Sequence, residues 1–139
     1  MDYFNAAFGG FAPHRDPDAA IKFSLNVVLM DHRLDELAEV LKDGSSVGGM
    51  EGEPGWSLER RDIADEGNEA AYPGWPSGAR FKAEVNQEAF ALSNPVRFMT
   101  RAEFVHYVFL AAEAYAAFNA SAGAQAAVGA VRAEADAVE

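Results

Sequence analysis

The sequence predicts an α+β domain in which one antiparallel or mixed sheet of four or five strands packs against helices. Three observations indicate this class. A capped and mostly apolar segment over 100–120 has the pattern of a long helix. Segments such as 80–85 alternate apolar and polar residues as strands do, and three strand-like segments follow one another without an intervening helix. The predicted order of elements is β-α-β-β-β-α-α.

The first strand is predicted over residues 21–29. Five apolar residues occupy every second position there, and Lys22, Ser24 and Asn26 lie between them. This period of two is typical of a strand with one buried face.

A shorter helix is predicted over residues 31–43, with Asp31 as its N-cap. Its apolar residues recur at helical spacing, acidic residues come early, and Gly44 follows its end. We expect this helix to fold back over one face of the sheet.

The middle of the chain predicts further strands separated by loops. The glycine-rich stretch 44–55 and the polar stretch 64–78 have the composition of loops. Between and after them, residues 56–63, 80–85 and 88–92 have strand-like patterns.

The long helix over 100–120 is the best-specified element. Thr100 is a suitable N-cap, and Glu103 follows three residues later, which is the spacing of a capping box. Apolar residues cover nearly every side, so we expect protein to surround most of this helix.

The length of 139 residues predicts a single domain over 1–139. Residues 1–18 predict a short strand or an arm packed across the core. Residues 121–139 are rich in alanine and predict a weakly docked helix, broken near Gly123.

Composition excludes several classes of function. The net charge of -11 disfavours direct binding to nucleic acid or to anionic membranes, because both need positive surface. The absence of cysteine excludes disulfides, thiolate catalysis and cysteine-based metal sites. No apolar run is long enough to span a membrane, and we expect a cytoplasmic protein.

Sequence motifs give no support to an enzyme, a metal site or a cofactor. His14, His32 and His106 do not share the spacing of metal ligands on a helix. Phosphate-binding glycine loops and the nucleophile elbow are also missing. We therefore expect no catalytic residues, no metal and no cofactor.

The acidic charge is concentrated in residues 43–79, where eight acidic residues face two arginines. This stretch also repeats the triplet Pro-Gly-Trp, which ends at Trp56 and at Trp75. Pro-Gly favours a type II turn, and each turn places a tryptophan at its corner. The two tryptophans either anchor a protein partner or fold inward onto the core. Arg60 and Arg61 are expected to pair locally with neighbouring acids, with little gain in stability.

A small, acidic, cysteine-free α/β chain whose long helix starts with the sequence MTRAEF resembles bacterial immunity proteins. These proteins are the antitoxins of contact-dependent growth inhibition and other polymorphic toxin systems. The resemblance implies a cytoplasmic inhibitor that binds a cognate toxin domain, often a basic nuclease, through protein–protein interaction.

The candidate partner-binding residues are the acidic and aromatic side chains of the central loops. They are Glu51, Glu53, Trp56, Glu59, Asp62, Asp65, Glu66, Glu69, Tyr72 and Trp75. The alternative function is a small-ligand-binding protein or enzyme, with a pocket between the sheet and the main helix. Its candidate residues are His106, Tyr107 and Tyr115.

Overall fold

A computed structural model describes residues 2–137. It confirms the α+β class, because one four-stranded antiparallel sheet lies between three helices before it in the chain and two after it. The helices are α1 (Phe4–Phe8), α2 (Ala19–Met30), α3 (Leu34–Leu41), α4 (Arg101–Phe118) and α5 (Ala122–Ala135). The strands are β1 (Gly49–Gly52), β2 (Trp56–Arg60), β3 (Phe81–Val85) and β4 (Val96–Met99).

The sheet is an antiparallel meander in the order β1-β2-β3-β4. Alternation along β2 and β3 turns one set of side chains inward and the other outward. Leu58, Phe81 and Ala83 are buried on the inner face, whereas Glu59 and Glu84 are exposed on the outer face. Helices therefore cover one face of the sheet only.

The prediction of a strand over 21–29 is wrong, because this segment is part of helix α2. Its apolar residues alternate in sequence, but the helix is buried on nearly every side, so Ser24 and Asn26 are buried as well. The amide oxygen of Asn26 accepts a 2.7 Å hydrogen bond from the backbone N–H of Tyr3. A helix surrounded by protein loses the polar stripe that distinguishes helix from strand.

Helix α2 is the element at the centre of the core. It packs against β2, β3 and β4 on one side and against α4 on the other. Ile21, Leu25 and Leu29 are fully buried along it. Helix α4 reaches the sheet near its own start, where the Phe104 ring stacks on Phe81 with centroids 4.0 Å apart.

The sequence signals at the starts of the two C-terminal helices hold. The capping box is complete: the Thr100 side chain accepts from the Glu103 N–H, and the Glu103 carboxylate accepts from the Thr100 N–H. Ser121 caps α5 in a similar way by accepting from the N–H of Ala124. The predicted break near Gly123 is absent, because Gly123 is helical and the gap between α4 and α5 comes before it. The prediction of weak docking is also wrong, because α5 packs against α3 and α4 and buries Val128 and Val131. Residues 138 and 139 of the predicted helix lie outside the described residues.

The other differences concern short elements. Helix α3 begins at Leu34, because residues 31–33 close the end of α2, with His32 at a φ of 57°. The glycine-rich stretch forms β1, and the strand predicted over 88–92 is a turn. The order is therefore α-α-α-β-β-β-β-α-α. The described part of the N-terminal arm contains α1. No described helix is long and apolar enough to cross a membrane.

Candidate functional site

The outer face of the sheet is the candidate site. The register places Glu51, Ser57, Glu84 and Val96 side by side across the four strands. Neighbours in such a row point to the same side of the sheet. The next row begins at Gly49 of β1 and continues through Glu59, Lys82 and Phe98.

A groove runs along this face. One concavity encloses about 720 Å³ at the end of the sheet near the β1–β2 turn, and it is lined by Glu51, Glu53, Ser57 and Glu84 among others. A second concavity shares Glu51 and Ser57 with the first and extends to Glu59 and Tyr72. The two concavities are therefore parts of one acidic groove.

Three predicted acids line this groove without an ion pair to a described residue. Glu51, Glu53 and Glu59 are exposed, and within residues 2–137 their carboxylates form no hydrogen bond or ion pair. Glu84, which the sequence analysis did not select, pairs at 3.1 Å with Lys82, which also lies opposite Glu59 in the register. The groove consequently presents net negative charge to solvent.

An aromatic cluster of Tyr72, Trp75 and Phe98 lies at the other end of the outer face. The rings of Tyr72 and Trp75 meet edge to face, and Trp75 meets Phe98 of β4 in the same way with centroids 5.4 Å apart. The guanidinium of Arg61 lies over both Tyr72 and Trp75. Tyr72 and Trp75 are half-buried, so each retains an accessible edge.

Glu66 binds Arg61, whose guanidinium lies over this aromatic cluster. Its carboxylate accepts hydrogen bonds from Arg80, from Arg61 at 2.9 Å and from the N–H of Gly78. The bond from Arg80 is the main cause that lowers the pKa of Glu66. The negative charge of Glu66, a predicted partner-binding residue, is therefore balanced by arginines of the same chain.

Asp65 and Glu69 lie in the same loop with different surroundings. Asp65 is half-buried and accepts a 3.3 Å hydrogen bond from the hydroxyl of Tyr72. Burial, followed by the charge of Asp65, raises the pKa of Tyr72. Glu69 is exposed, and no side-chain bond ties it to the described residues.

Trp56 does not lie on the surface. It is 2% exposed, and its indole N–H donates to the carbonyl oxygen of Glu53. Arg33 covers its ring at 5.3 Å. Of the two alternatives for the tryptophans, inward packing holds for Trp56, whereas Trp75 is partly accessible.

The two Pro-Gly-Trp turns also differ. At the second, the N–H of Trp75 bonds to the carbonyl oxygen of Tyr72, and Gly74 has a φ of 80°, as a type II turn requires. At the first, the N–H of Gly55 bonds to the carbonyl oxygen of Gly52. The central residues of that turn are therefore Glu53 and Pro54, not Pro54 and Gly55, and the prediction of a type II turn there is wrong.

Asp62 is part of an internal ion pair. Its carboxylate accepts from the Nε of Arg60 at 2.6 Å and from the N–H of Gly44 at 2.8 Å. Burial acts to raise the pKa of Asp62, but these two hydrogen bonds, together with the charge of Arg60 and a hydrogen bond with Asp43, outweigh it, and the pKa is lowered. The expected local pairing of Arg60 with a neighbouring acid is therefore present, but its guanidinium is also buried and bonds to distant segments, so Arg60 is more than a surface ion pair.

The residues of the alternative function are not brought together. The Tyr107 hydroxyl donates to Asp18 at 2.6 Å, and burial, with this bond, raises the pKa of Tyr107 to about 12. Tyr115 lies 2.7 Å from Nδ1 of His32 and lines a separate concavity beside α5. His106 is exposed. Helix α2 occupies much of the space between the sheet and α4 in which that pocket was predicted.

The sequence analysis missed four contributors to the outer face, namely Ser57, Lys82, Glu84 and Phe98. The signal for Lys82 and Glu84 is present, since they are the polar positions of an alternating strand. Ser57 and Phe98 could be placed on the outer face only once the strand register was known. Among the described residues, no group of three or more histidine or acidic side chains could hold a metal ion.

Comparison with known proteins gives no relative: no family model, curated protein or solved structure matches this chain.

Proposed function

We propose that this chain is an immunity protein that binds and neutralises a basic toxin domain, such as a nuclease, through the outer face of its sheet. One observation carries the proposal. The sheet face that no helix covers, with the turn at its end, bears three carboxylates that form no ion pair with the described residues, beside accessible edges of Tyr72 and Trp75.

The charges and the aromatic rings have different roles in this proposal. A nuclease carries a positive cleft for the phosphates of its substrate, and negative charge on an inhibitor raises the rate of encounter with such a cleft. Aromatic side chains that lose water in the complex slow its dissociation. Glu51, Glu53 and Glu59 therefore steer the partner, and Trp75 and Tyr72 retain it.

The contrast among the acids supports this division. Asp62, Asp65 and Glu66 bind groups within the chain, so their charges are largely used in holding the loop. Of the four predicted acids left without a side-chain partner among the described residues, Glu51, Glu53 and Glu59 belong to β1, β2 and the turn between them, and Glu69 lies in the loop that carries Tyr72.

The test is a binding and inhibition assay with the toxin domain encoded beside this chain. The proposal predicts a one-to-one complex, loss of the toxin's activity, and an association rate that falls as salt increases. Absence of a complex, or an association rate that does not respond to salt, would contradict it.

A further inference from the structure

We infer that the groove over Ser57 receives an arginine side chain of the basic partner. This inference rests on the proposed function and names the chemical group that the outer face recognises. Ser57, the second residue of β2, lies directly between Glu51 of β1 and Glu84 of β3. Adjacent strands are about 4.8 Å apart, so the two glutamates flank the serine on either side at about that spacing.

The shape of the groove leaves room for a long side chain at this point. Ser57 is small, and it belongs to both concavities of the groove. Gly49, diagonally across from it on β1, has no side chain, and a Cβ there would lie 2.7 Å from the carbonyl oxygen of Leu58. The close approach of the two strands therefore requires glycine and keeps this part of the groove open.

The charge of the groove determines the charge of its occupant. Glu51 and Glu59 form no ion pair with residues 2–137, and Glu84 pairs with Lys82, which also lies opposite Glu59 in the register. Three carboxylates around Ser57 therefore outnumber one ammonium. The hydroxyl of the half-buried Ser57 makes no hydrogen bond to a described residue. A cation that enters the groove meets carboxylates on two sides and a free hydroxyl at its floor.

Arginine fits this arrangement better than lysine. Its planar guanidinium has five N–H donors and can bind carboxylates on opposite sides at once, whereas the lysine ammonium is a compact and strongly hydrated charge. Tyr72 lines the far end of the groove, where the aliphatic stem of the arginine can pack on the accessible edge of the ring.

The experiment is an NMR titration of the full chain with a capped tri-arginine peptide, compared with capped tri-lysine. The inference predicts that tri-arginine shifts the amide signals of Glu51, Ser57 and Glu84, with an affinity several-fold higher than that of tri-lysine. Equal affinities for the two peptides, or shifts elsewhere on the protein only, would overturn it.

A substitution that fills the groove provides the second arm. Ser57→Arg places a guanidinium beside Glu51 and Glu84, and opposite charges in such cross-strand positions stabilise a sheet, so the fold is retained. Tri-arginine affinity is expected to fall by about tenfold or more. Ala133→Arg, an exposed position on α5, changes the net charge equally and should leave the affinity nearly unchanged.

The same variants separate this inference from the proposed function. If the wild-type chain binds the toxin domain and Ser57→Arg binds it as tightly as Ala133→Arg does, the arginine site is wrong and the proposed function stands. If tri-arginine binds over Ser57 but no toxin domain does, the proposed function fails while the groove's preference for arginine holds.

Discussion

Nη1 of Arg60 donates a hydrogen bond to the carbonyl oxygen of Val40 over 2.7 Å, although the two residues belong to different layers of the fold. The same guanidinium binds the carbonyl oxygens of Glu39, Val47 and Ser45. Arg60 thus connects β2 to the carboxyl end of α3 and to the loop that leads into β1. A cation at this end of a helix also compensates the helix dipole.

Replacing Arg60 by methionine should strongly destabilise the protein. The change retains most of the side-chain volume but leaves several buried carbonyl groups without a donor and Asp62 without its ion-pair partner. We expect a loss of about 3–5 kcal/mol in the free energy of unfolding, measured by urea denaturation. Arg132→Met is the control, because its ion pair with Glu113 is exposed and should contribute less than about 1 kcal/mol. Similar losses for the two variants would contradict this assignment.

The ion pair of Asp62 should make stability depend on acid pH. The pKa of Asp62 is lower in the folded protein than its ordinary value of 3.8, so the folded state favours the charged form. The stability that charged Asp62 contributes is present above its ordinary pKa of 3.8. This stability is lost as the pH falls through the lower pKa of the folded protein. Urea denaturation between about pH 5 and pH 2 should therefore show a smaller acid-side loss for Asp62→Asn than for the wild type. An identical pH dependence would show that Asp62 contributes nothing to it.

The start of helix α4 and the strand β3 could be predicted because their signals are local. The capping box at Thr100 and Glu103 identifies the start of α4, and the alternation in 81–85 identifies β3. The expectation that protein surrounds most of α4 is wrong, because Phe109 and Phe118 are 48% and 55% exposed. Helix α2 could not be recognised from periodicity, since protein contacts it on nearly every side and Asn26 is buried through a bond to a residue 23 positions away.

The candidate site was predictable in part for a similar reason. Acidic composition indicated the region, and Glu51, Glu53 and Glu59 do lie along one groove. The sequence predicted that Arg60 and Arg61 pair with neighbouring acids, but it could not show that Asp62 and Glu66 are the acids that they bind, and only the fold brings Arg80 to Glu66. Nor could the sequence show that identical Pro-Gly-Trp triplets bury one tryptophan and leave the other accessible.

Adjacent positions on α4 should respond very differently to the same substitution. Val108 is fully buried, whereas Phe109 is 48% exposed. Val108→Asp places a carboxylate in the core and should unfold the domain at neutral pH. Phe109→Asp should change the free energy of unfolding by less than about 1 kcal/mol. Circular dichroism during thermal unfolding measures both, and a stably folded Val108→Asp would show that the core is assigned wrongly.

The two tryptophans should differ in their access to a neutral quencher. Acrylamide should quench Trp75 several-fold more strongly than Trp56, because Trp56 is 2% exposed and Trp75 is half-buried at the surface. The single-tryptophan variants Trp56→Phe and Trp75→Phe allow each residue to be measured separately. Equal quenching constants, in variants that remain folded, would contradict the positions of the two rings.

The most direct test of the outer-face account compares two triple variants that each remove three negative charges. The first, Glu51→Gln, Glu53→Gln and Glu59→Gln, neutralises the groove. The second, Asp31→Asn, Glu134→Gln and Asp136→Asn, neutralises acids on the helical side, whose carboxylates form no ion pair with residues 2–137. Association with the adjacent toxin domain is measured by stopped flow at low salt. The groove variant should associate with the toxin domain at least about tenfold more slowly than the wild type. The variant on the helical side should associate at nearly the wild-type rate. Equal rates for the two variants would show that the outer face of the sheet does not direct binding.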